Sequence, residues 1–514
     1  MMARILIVLV MIKIAIAILL SSFFLLRPLM MQDSGLLYPN DDFDYFAHAT
    51  SLVFGQFPSY KNEFLFRGPP SPEGAIGAGI MAAPFVYVFS WVDRINGSSI
   101  VEKRTLDNVR GSWTVFGFIF AGAFYFCLSC LLLFWSVRCL VGETFALWAV
   151  ILMIICQGMP LYAFRRPIFT HSPELFLQSV FVYLFIKNEL SDGHLIKQWW
   201  AFICVGVLAG MIALTRYNNI LFTISWPLLF LSRSLWPQKN WRIFWQNTCW
   251  VILPIVFLIS IFKYWPELYN HYIIYKGNDM VEKVFNVQAP WQEFVRRLLH
   301  IFLAFDWGLI FTAPFLLLGC WGMAFCDVSW KRKYIFAMIP LLVNCYVVVV
   351  TGSQGAYYGY RYLIASAFPL FVLPLAFLLK WLNRKIGNWW KWGVIILAVF
   401  PVISMWCYEG NAQVATYPIP TTFFGTIAWG NATYQIAVWQ TVLNLKALGG
   451  IVYLGGIQYF HQLLFYATAT SLGFKVTPPM EIKTLIQVLL IYSLPFVLVF
   501  IFKDKALDTH DPSG

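Results

Sequence analysis

Apolar runs recur along the whole chain and are separated by short polar connections. Repeated runs have about 17–25 residues, the length at which an α-helix crosses a hydrocarbon core of about 30 Å. A backbone in lipid has to satisfy its own hydrogen bonds, so these runs are predicted to be helices. They lie near residues 5–27, 113–136, 144–160, 173–187, 199–214, 218–232, 244–263, 308–325, 334–350, 362–380, 392–407 and 485–502. The pattern therefore predicts an all-α polytopic membrane protein with about twelve transmembrane helices.

Composition agrees with this class. Of the 514 residues, 60% are hydrophobic and 12% are charged, against about 25% charged residues in soluble domains. The formal net charge of +12 could suggest a nucleic-acid partner, but Lys and Arg form short clusters between the apolar runs. That distribution is typical of cytoplasmic membrane loops, so no nucleic acid is expected. The ten cysteines fall mostly within the apolar runs, which disfavours a disulfide framework or a zinc site.

The basic clusters occupy alternate connections, which places both termini in the cytoplasm and a large loop, residues 28–112, on the opposite face. An apolar piece at 75–92 is predicted to be an interfacial helix of that loop, because it is short and contains Gly77, Gly79 and Pro84. The rival interpretation, a full span, breaks the charge alternation downstream. Residues 1–407 then form the transmembrane module, 408–484 an extracytoplasmic cap, and 485–514 the last span with a cytoplasmic tail.

Basic side chains also occur on the far face, where the positive-inside pattern does not place them. They are Arg165, Arg166, His171, Arg216 and Arg361. One interpretation makes them interfacial anchors or ion-pair partners of nearby acids. The other makes them an anion site, since a guanidinium holds phosphate through two parallel hydrogen bonds. Their grouping at one face favours the anion site.

Three carboxylates, Asp41, Asp42 and Asp44, lie within four residues on the same face. They could be acids in the first turn of a helix, each contributing about 0.3–1 kcal/mol through the helix dipole. A carboxylate beside a phosphate-binding cluster is also what glycosyl transfer from a lipid phosphate requires. One Asp would take the proton of an acceptor hydroxyl, while cations hold the departing phosphate.

Six segments stand out in order over about residues 1–380. They are NDDFDYFAHATSL at 40–52, GAIGAGIMAAP at 74–84, RPIFTH at 166–171, LTRYNN at 214–219, DWGLIFTAP at 306–314 and GAYYGYRY at 355–362. Taken together they resemble the GT-C superfamily of glycosyltransferases that use polyprenyl-phosphate sugars, particularly the bacterial branch related to protein mannosyltransferases and to the aminoarabinose transferase of lipid A. The resemblance implies a GT-C-like fold whose large first extracytoplasmic loop carries juxtamembrane helices.

The resemblance also implies site residues. Asp41 matches the catalytic base of an acidic pair, Asp42 the second acid, and the assignment could shift to Asp42 or Asp44. The residues matching the donor phosphate site are Arg165, Arg166, His171, Arg216 and Arg361, with Lys61 and Tyr358 beside them. No cofactor is required, although some family members hold a divalent cation near the acidic loop, so a metal at Asp41 or Asp42 stays open.

The implied reaction is inverting transfer of a monosaccharide from a polyprenyl-phosphate donor, such as an undecaprenyl-phosphate sugar, to an envelope glycan or glycolipid. Lipopolysaccharide O-antigen is the preferred acceptor, and the bacterial inner membrane is the implied location, with a periplasmic active site. A donor-synthesising glycosyltransferase and a flippase are the expected partners. Two alternatives stay open. A lipid-linked saccharide transporter or flippase would use the same arginines without chemistry, and a glycan polymerase or ligase would use a lipid pyrophosphate donor.

Overall fold

The computed structural model describes residues 41–57, 60, 75–98, 100, 109, 111–160, 162–163, 170–191, 198–216, 219, 231, 241–263, 294–295, 298–299, 301–302, 309–327, 330–331, 334, 342, 345–346, 349, 361–398 and 401. All regular structure within these residues is helical. The ten helices are α1 (Asp41–Val53), α2 (Ile76–Ile95), α3 (Trp113–Val141), α4 (Glu143–Val150), α5 (His171–Leu190), α6 (Trp199–Thr215), α7 (Trp241–Lys263), α8 (Leu309–Thr312), α9 (Pro314–Gly322) and α10 (Arg361–Ile386).

Hydropathy predicted the position of most of these helices. The predicted spans at 113–136, 173–187 and 199–214 correspond to α3, α5 and α6, each slightly longer than expected. The predicted span at 362–380 and the described part of the one at 392–407 lie in one helical stretch. In it α10 is followed by a 3-10 turn, Gly387–Trp389, and then by helical residues 390–398. Gly387 has a φ of 57°. The predicted spans near 5–27 and 485–502 and the cap at 408–484 lie outside the described residues.

Three of the described helical stretches are long and apolar enough to cross a membrane: Ile76–Ile95, Trp113–Val141 and Ala365–Ala398. The middle one has 29 residues, or roughly 44 Å at about 1.5 Å per residue. Most of its side chains are buried against other helices. The described part of the chain is therefore helical and has the character of a membrane protein.

α2 covers the piece at 75–92, which was predicted to be an interfacial helix because it is short and contains two glycines and a proline. It is one uninterrupted helix of 20 residues. The glycines do not break it because each lies against another segment. A Cβ on Gly77 would be 2.6 Å from the backbone of Leu214, and one on Gly79 would be 2.5 Å from the Cβ of His48. Length and composition thus allow α2 to span a membrane, and its assignment as an interfacial helix stays a prediction.

α2 and α3 pack along each other in opposite directions. Tyr125 Oη donates a hydrogen bond of 2.9 Å to the carbonyl oxygen of Met81. Further along, a Cβ on Gly117 would be 2.7 Å from the carbonyl oxygen of Phe85. The last turn of α2 reaches the start of α3, where the Asp93 carboxylate accepts hydrogen bonds from the first backbone amides of α3. α2 is therefore attached to α3 at several levels along its length.

A second long-range link joins α4 to α9. α4 continues into a single π-helical turn, Ile151–Ile155, and Gln157 follows it. The Gln157 Oε1 atom accepts hydrogen bonds from the backbone amides of Phe315 at 2.8 Å and Leu316 at 3.1 Å. Because the first amides of a helix have no partner within it, this buried side chain satisfies two groups that would otherwise be unpaired at the start of α9.

Candidate functional site

α1 carries the three candidate carboxylates, Asp41, Asp42 and Asp44. Asp44 is 9% exposed and lies one turn before His48, which is 1% exposed. The Nδ1 atom of His48 and the hydroxyl of Tyr60 are joined by a hydrogen bond of 2.7 Å. α1 is thus held by a buried polar contact and is not a solvated helix. The side chains of Asp41 and Asp42 lie outside the described residues.

A small apolar cluster joins α1 to the end of α6. Its buried members are Ala47 of α1, Ile76 of α2, and Tyr60, which lies between the two helices in the chain. Leu214 of α6 packs against them. Leu214 lies two residues before Arg216. The structure therefore brings the helix that carries the acids to the segment that carries one of the candidate basic residues, through α2.

Arg216 follows α6 and faces the first turn of α5. Its Nη1 atom donates a hydrogen bond of 2.9 Å to Oε2 of Glu174, whose side chain is completely buried, while Arg216 keeps 12% of its side chain exposed. Asn219 Nδ2 donates to the other oxygen, Oε1, at 2.8 Å. Both carboxylate oxygens of Glu174 are therefore bound by donors from the segment that follows α6.

His171 is the first residue of α5 and is completely buried. Its Nδ1 and Nε2 atoms lie 3.3 Å from Nη1 and Nη2 of Arg216, respectively. A neutral imidazole has only one acceptor nitrogen, so at most one of these two contacts is a hydrogen bond. The guanidinium of Arg216 is thus in close contact with the ring. Tyr162 also packs on His171, with ring centroids 4.3 Å apart.

The four residues His171, Glu174, Arg216 and Asn219 are called the polar cluster below. His171 and Arg216 were predicted from the sequence, and the structure places them in contact. Glu174 and Asn219 were not predicted. A usable signal existed, because Glu174 is an acid within a predicted apolar span, and ionisable groups in spans are usually paired or functional. One of the two interpretations made Arg216 an ion-pair partner of nearby acids, and in the structure it forms an ion pair with Glu174.

Several candidate residues fall where the structure describes no side chain. Arg361 begins α10, but only its backbone is described. Four other candidates lie outside the described residues altogether: Lys61, Arg165, Arg166 and Tyr358. Their roles at the donor phosphate stay predictions.

Metal binding was left open in the sequence analysis at Asp41 or Asp42. Across the part of the chain that the structure describes, no three His, Cys, Asp or Glu side chains come close enough to hold a metal ion. Because the side chains of Asp41 and Asp42 are not among those described, the possibility of a cation there stays untested.

Chemically, the polar cluster presents a guanidinium that contacts a buried carboxylate and an imidazole and is itself 12% exposed. Such a group binds phosphate or carboxylate oxygens through charge-assisted hydrogen bonds. The buried carboxylate itself is out of reach of any external ligand. No family model matches the chain, and no curated protein or solved structure matches it either.

Proposed function

We propose that this protein is an inverting GT-C-type glycosyltransferase of about twelve transmembrane helices. It transfers a monosaccharide from a polyprenyl-phosphate donor to an envelope glycan, with lipopolysaccharide O-antigen as the preferred acceptor. The reaction takes place on the periplasmic side of the bacterial inner membrane. Both chain termini lie in the cytoplasm under this proposal.

One observation supports it most. The acid-bearing helix α1 packs through α2 onto the end of α6, immediately before Arg216. A carboxylate that accepts a proton and a cation that holds a phosphate have to act on the same donor, so they have to lie at the same end of the helical bundle.

The reaction is a single displacement. The acceptor hydroxyl oxygen forms a bond to the anomeric carbon, and the bond from that carbon to the phosphate oxygen breaks. The hydroxyl proton passes to the Asp41 carboxylate, with Asp42 and Asp44 as the alternative bases, and the leaving electron pair stays on the phosphate. Arg216, with the other candidate arginines, stabilises the growing negative charge of the polyprenyl phosphate. Attack from the face opposite the phosphate inverts the anomeric configuration.

A lipid-linked saccharide flippase is the second candidate. It would use Arg216 to bind phosphate and would not need a base on α1. The polar cluster slightly favours this candidate over a polymerase or ligase, because a buried ion pair between two helix ends resembles the intramembrane charge sites of transporters. Removal of the carboxylates separates the two candidates.

The test is sugar transfer by the purified protein in nanodiscs. A panel of undecaprenyl-phosphate monosaccharides serves as donors and envelope glycans serve as acceptors, with Asp41→Asn, Asp42→Asn and Asp44→Asn beside the wild type. Loss of one proton acceptor is expected to lower the rate by about 100-fold or more at one position, while undecaprenyl phosphate still binds. Normal transfer by all three variants would overturn the assignment of the base to the carboxylates of α1. No release of undecaprenyl phosphate by the wild type from any donor would overturn the enzyme proposal in favour of the flippase.

A further inference from the structure

The buried carboxylate of Glu174 has no role in the reaction proposed above, and it cannot reach a substrate because its side chain is completely buried. Burial of an ionised carboxylate is strongly unfavourable unless it is paired and hydrogen-bonded. Glu174 meets both conditions through Arg216 and Asn219. These contacts explain how the buried carboxylate is tolerated. They also restrict the side chains of Arg216 and Asn219, which make them.

The contacts restrict the guanidinium of Arg216 on two sides. Glu174 binds Nη1 at 2.9 Å, and the two ring nitrogens of His171 lie 3.3 Å from the two terminal nitrogens of Arg216. A free arginine side chain loses rotamer entropy when it is fixed. In this cluster the rotamer entropy of Arg216 is lost when the protein folds. It is not lost again when an anion binds, so the fixed guanidinium binds the anion more tightly.

The difference in exposure between Glu174 and Arg216 shows which of the two side chains an external anion can contact. Glu174 is completely buried, whereas Arg216 is 12% exposed. An anion that approaches the cluster therefore meets the guanidinium and never the carboxylate. Asn219 reinforces this order, because its Nδ2 atom holds the Oε1 atom of Glu174 and leaves Oε2 to the arginine.

We infer that Glu174 is a positioning residue, which fixes the Arg216 guanidinium in the orientation that receives the phosphate of the lipid donor. This inference rests on the proposed function, since it takes a lipid phosphate as the anion. It assigns to Glu174 a role in ground-state binding and leaves the proton transfer to the carboxylates of α1.

The test compares Glu174→Gln with Glu189→Gln in the full-length protein in nanodiscs. Glu189 is a matched control, because it lies on the same helix, is also buried at 6% exposure and is 15 residues away, or about 22 Å along the helix axis. The probe is undecaprenyl phosphate, and its Kd is measured by quenching of intrinsic tryptophan fluorescence. Glu174→Gln is expected to raise the Kd about tenfold to 100-fold, as expected when a hydrogen bond to a charged group is lost. Glu189→Gln is expected to leave it unchanged.

A purely structural role is distinguished by a double-mutant cycle. If Glu174 acts through Arg216, Arg216→Ala alone already removes the effect, and adding Glu174→Gln to it weakens binding no further. In transfer assays Glu174→Gln is expected to raise the KM for the donor more than it lowers kcat, because its effect is on binding. Asn219→Ala, which changes no charge, supplies a milder variant should Glu174→Gln fail to fold, with an expected loss in the same direction.

The outcomes separate the two proposals. If the wild type binds no undecaprenyl phosphate, the proposed function fails and the inference fails with it. If the wild type binds and Arg216→Ala does not, while Glu174→Gln and Asn219→Ala bind normally, the inference alone is wrong. An additional loss of affinity in the Arg216→Ala, Glu174→Gln double variant also contradicts it, since Glu174 would then act independently of the arginine.

Discussion

The attachment of α2 to α3 through Asp93 leads to a quantitative prediction. The carboxylate is 3% exposed and accepts three hydrogen bonds. Its Oδ1 atom binds the Trp113 amide at 2.9 Å. Its Oδ2 atom binds the Thr114 amide at 2.7 Å and the Thr114 hydroxyl at 2.6 Å. Asp93 therefore caps the first turn of α3 from the end of a different helix.

The perturbation is Asp93→Asn, which keeps the shape of the side chain but replaces one acceptor oxygen with a donor. At least one of the three hydrogen bonds, from the Trp113 amide, the Thr114 amide or the Thr114 hydroxyl, is then lost. Each hydrogen bond to a charged group contributes about 1.5–3 kcal/mol, and a negative charge at a helix N-terminus contributes about 0.3–1 kcal/mol more. The free energy of unfolding is expected to fall by about 2–4 kcal/mol from these contributions.

The assay is the apparent Tm in detergent, followed by fluorescence-detected gel filtration after heating. A drop of about 5 °C or more is expected. Ser112→Ala is the matched control, because Ser112 caps the same helix end through one neutral hydrogen bond of 3.1 Å to the Val115 amide, and it should cost only about 1 kcal/mol. If Asp93→Asn melts no lower than Ser112→Ala, then the charged cap contributes little and the argument for a firm α2–α3 attachment fails.

Three further predictions concern packing and accessibility. Gly77→Ala should lower both the Tm and the rate of sugar transfer, because the added Cβ would be 2.6 Å from the Leu214 backbone. Gly393→Ala is the control and should change neither, because a Cβ there would have no atom within 4 Å. Equal behaviour of the two variants would contradict the close approach of α2 to Leu214. The thiol of Cys139 is exposed and should react with a membrane-impermeant maleimide only from the cytoplasmic side, and labelling from the periplasm would reverse the proposed topology. Burial, with the nearby Asp327 carboxylate, raises the pKa of Cys326 to about 12. This thiol should therefore react with a maleimide at neutral pH only after denaturation. Rapid labelling of Cys326 in the native protein would contradict its burial.

The helices could be predicted from the sequence to the extent that apolar runs determine them. Runs such as those of α3 and α6 are uniformly apolar, so their location depends on local composition alone. The structure of α2 was less predictable. Its glycines suggest a broken helix until the partners that they contact, His48 and Leu214, are known.

The candidate site was predictable only in part, because its contacts join residues far apart in the chain. His171 and Arg216 could be selected because they are basic and polar groups at far-side helix ends. Their contact with Glu174, 42 residues before Arg216, depends on how α5 packs against α6. Hydropathy gives the length of each helix but not its rotation about its own axis, and that rotation decides which side chains face each other.

The close approach of α2 to the end of α6 has a consequence for protein engineering. The first helical turn of α2 lies on the backbone of Leu214 and Thr215, next to Arg216. The start of α2 and the backbone of that distant segment are therefore complementary in shape. A chimaera in which α2 is exchanged should fold well only if it also receives the matching end of α6. Under the proposed function, acceptor preference and donor binding would then be inherited together in such exchanges.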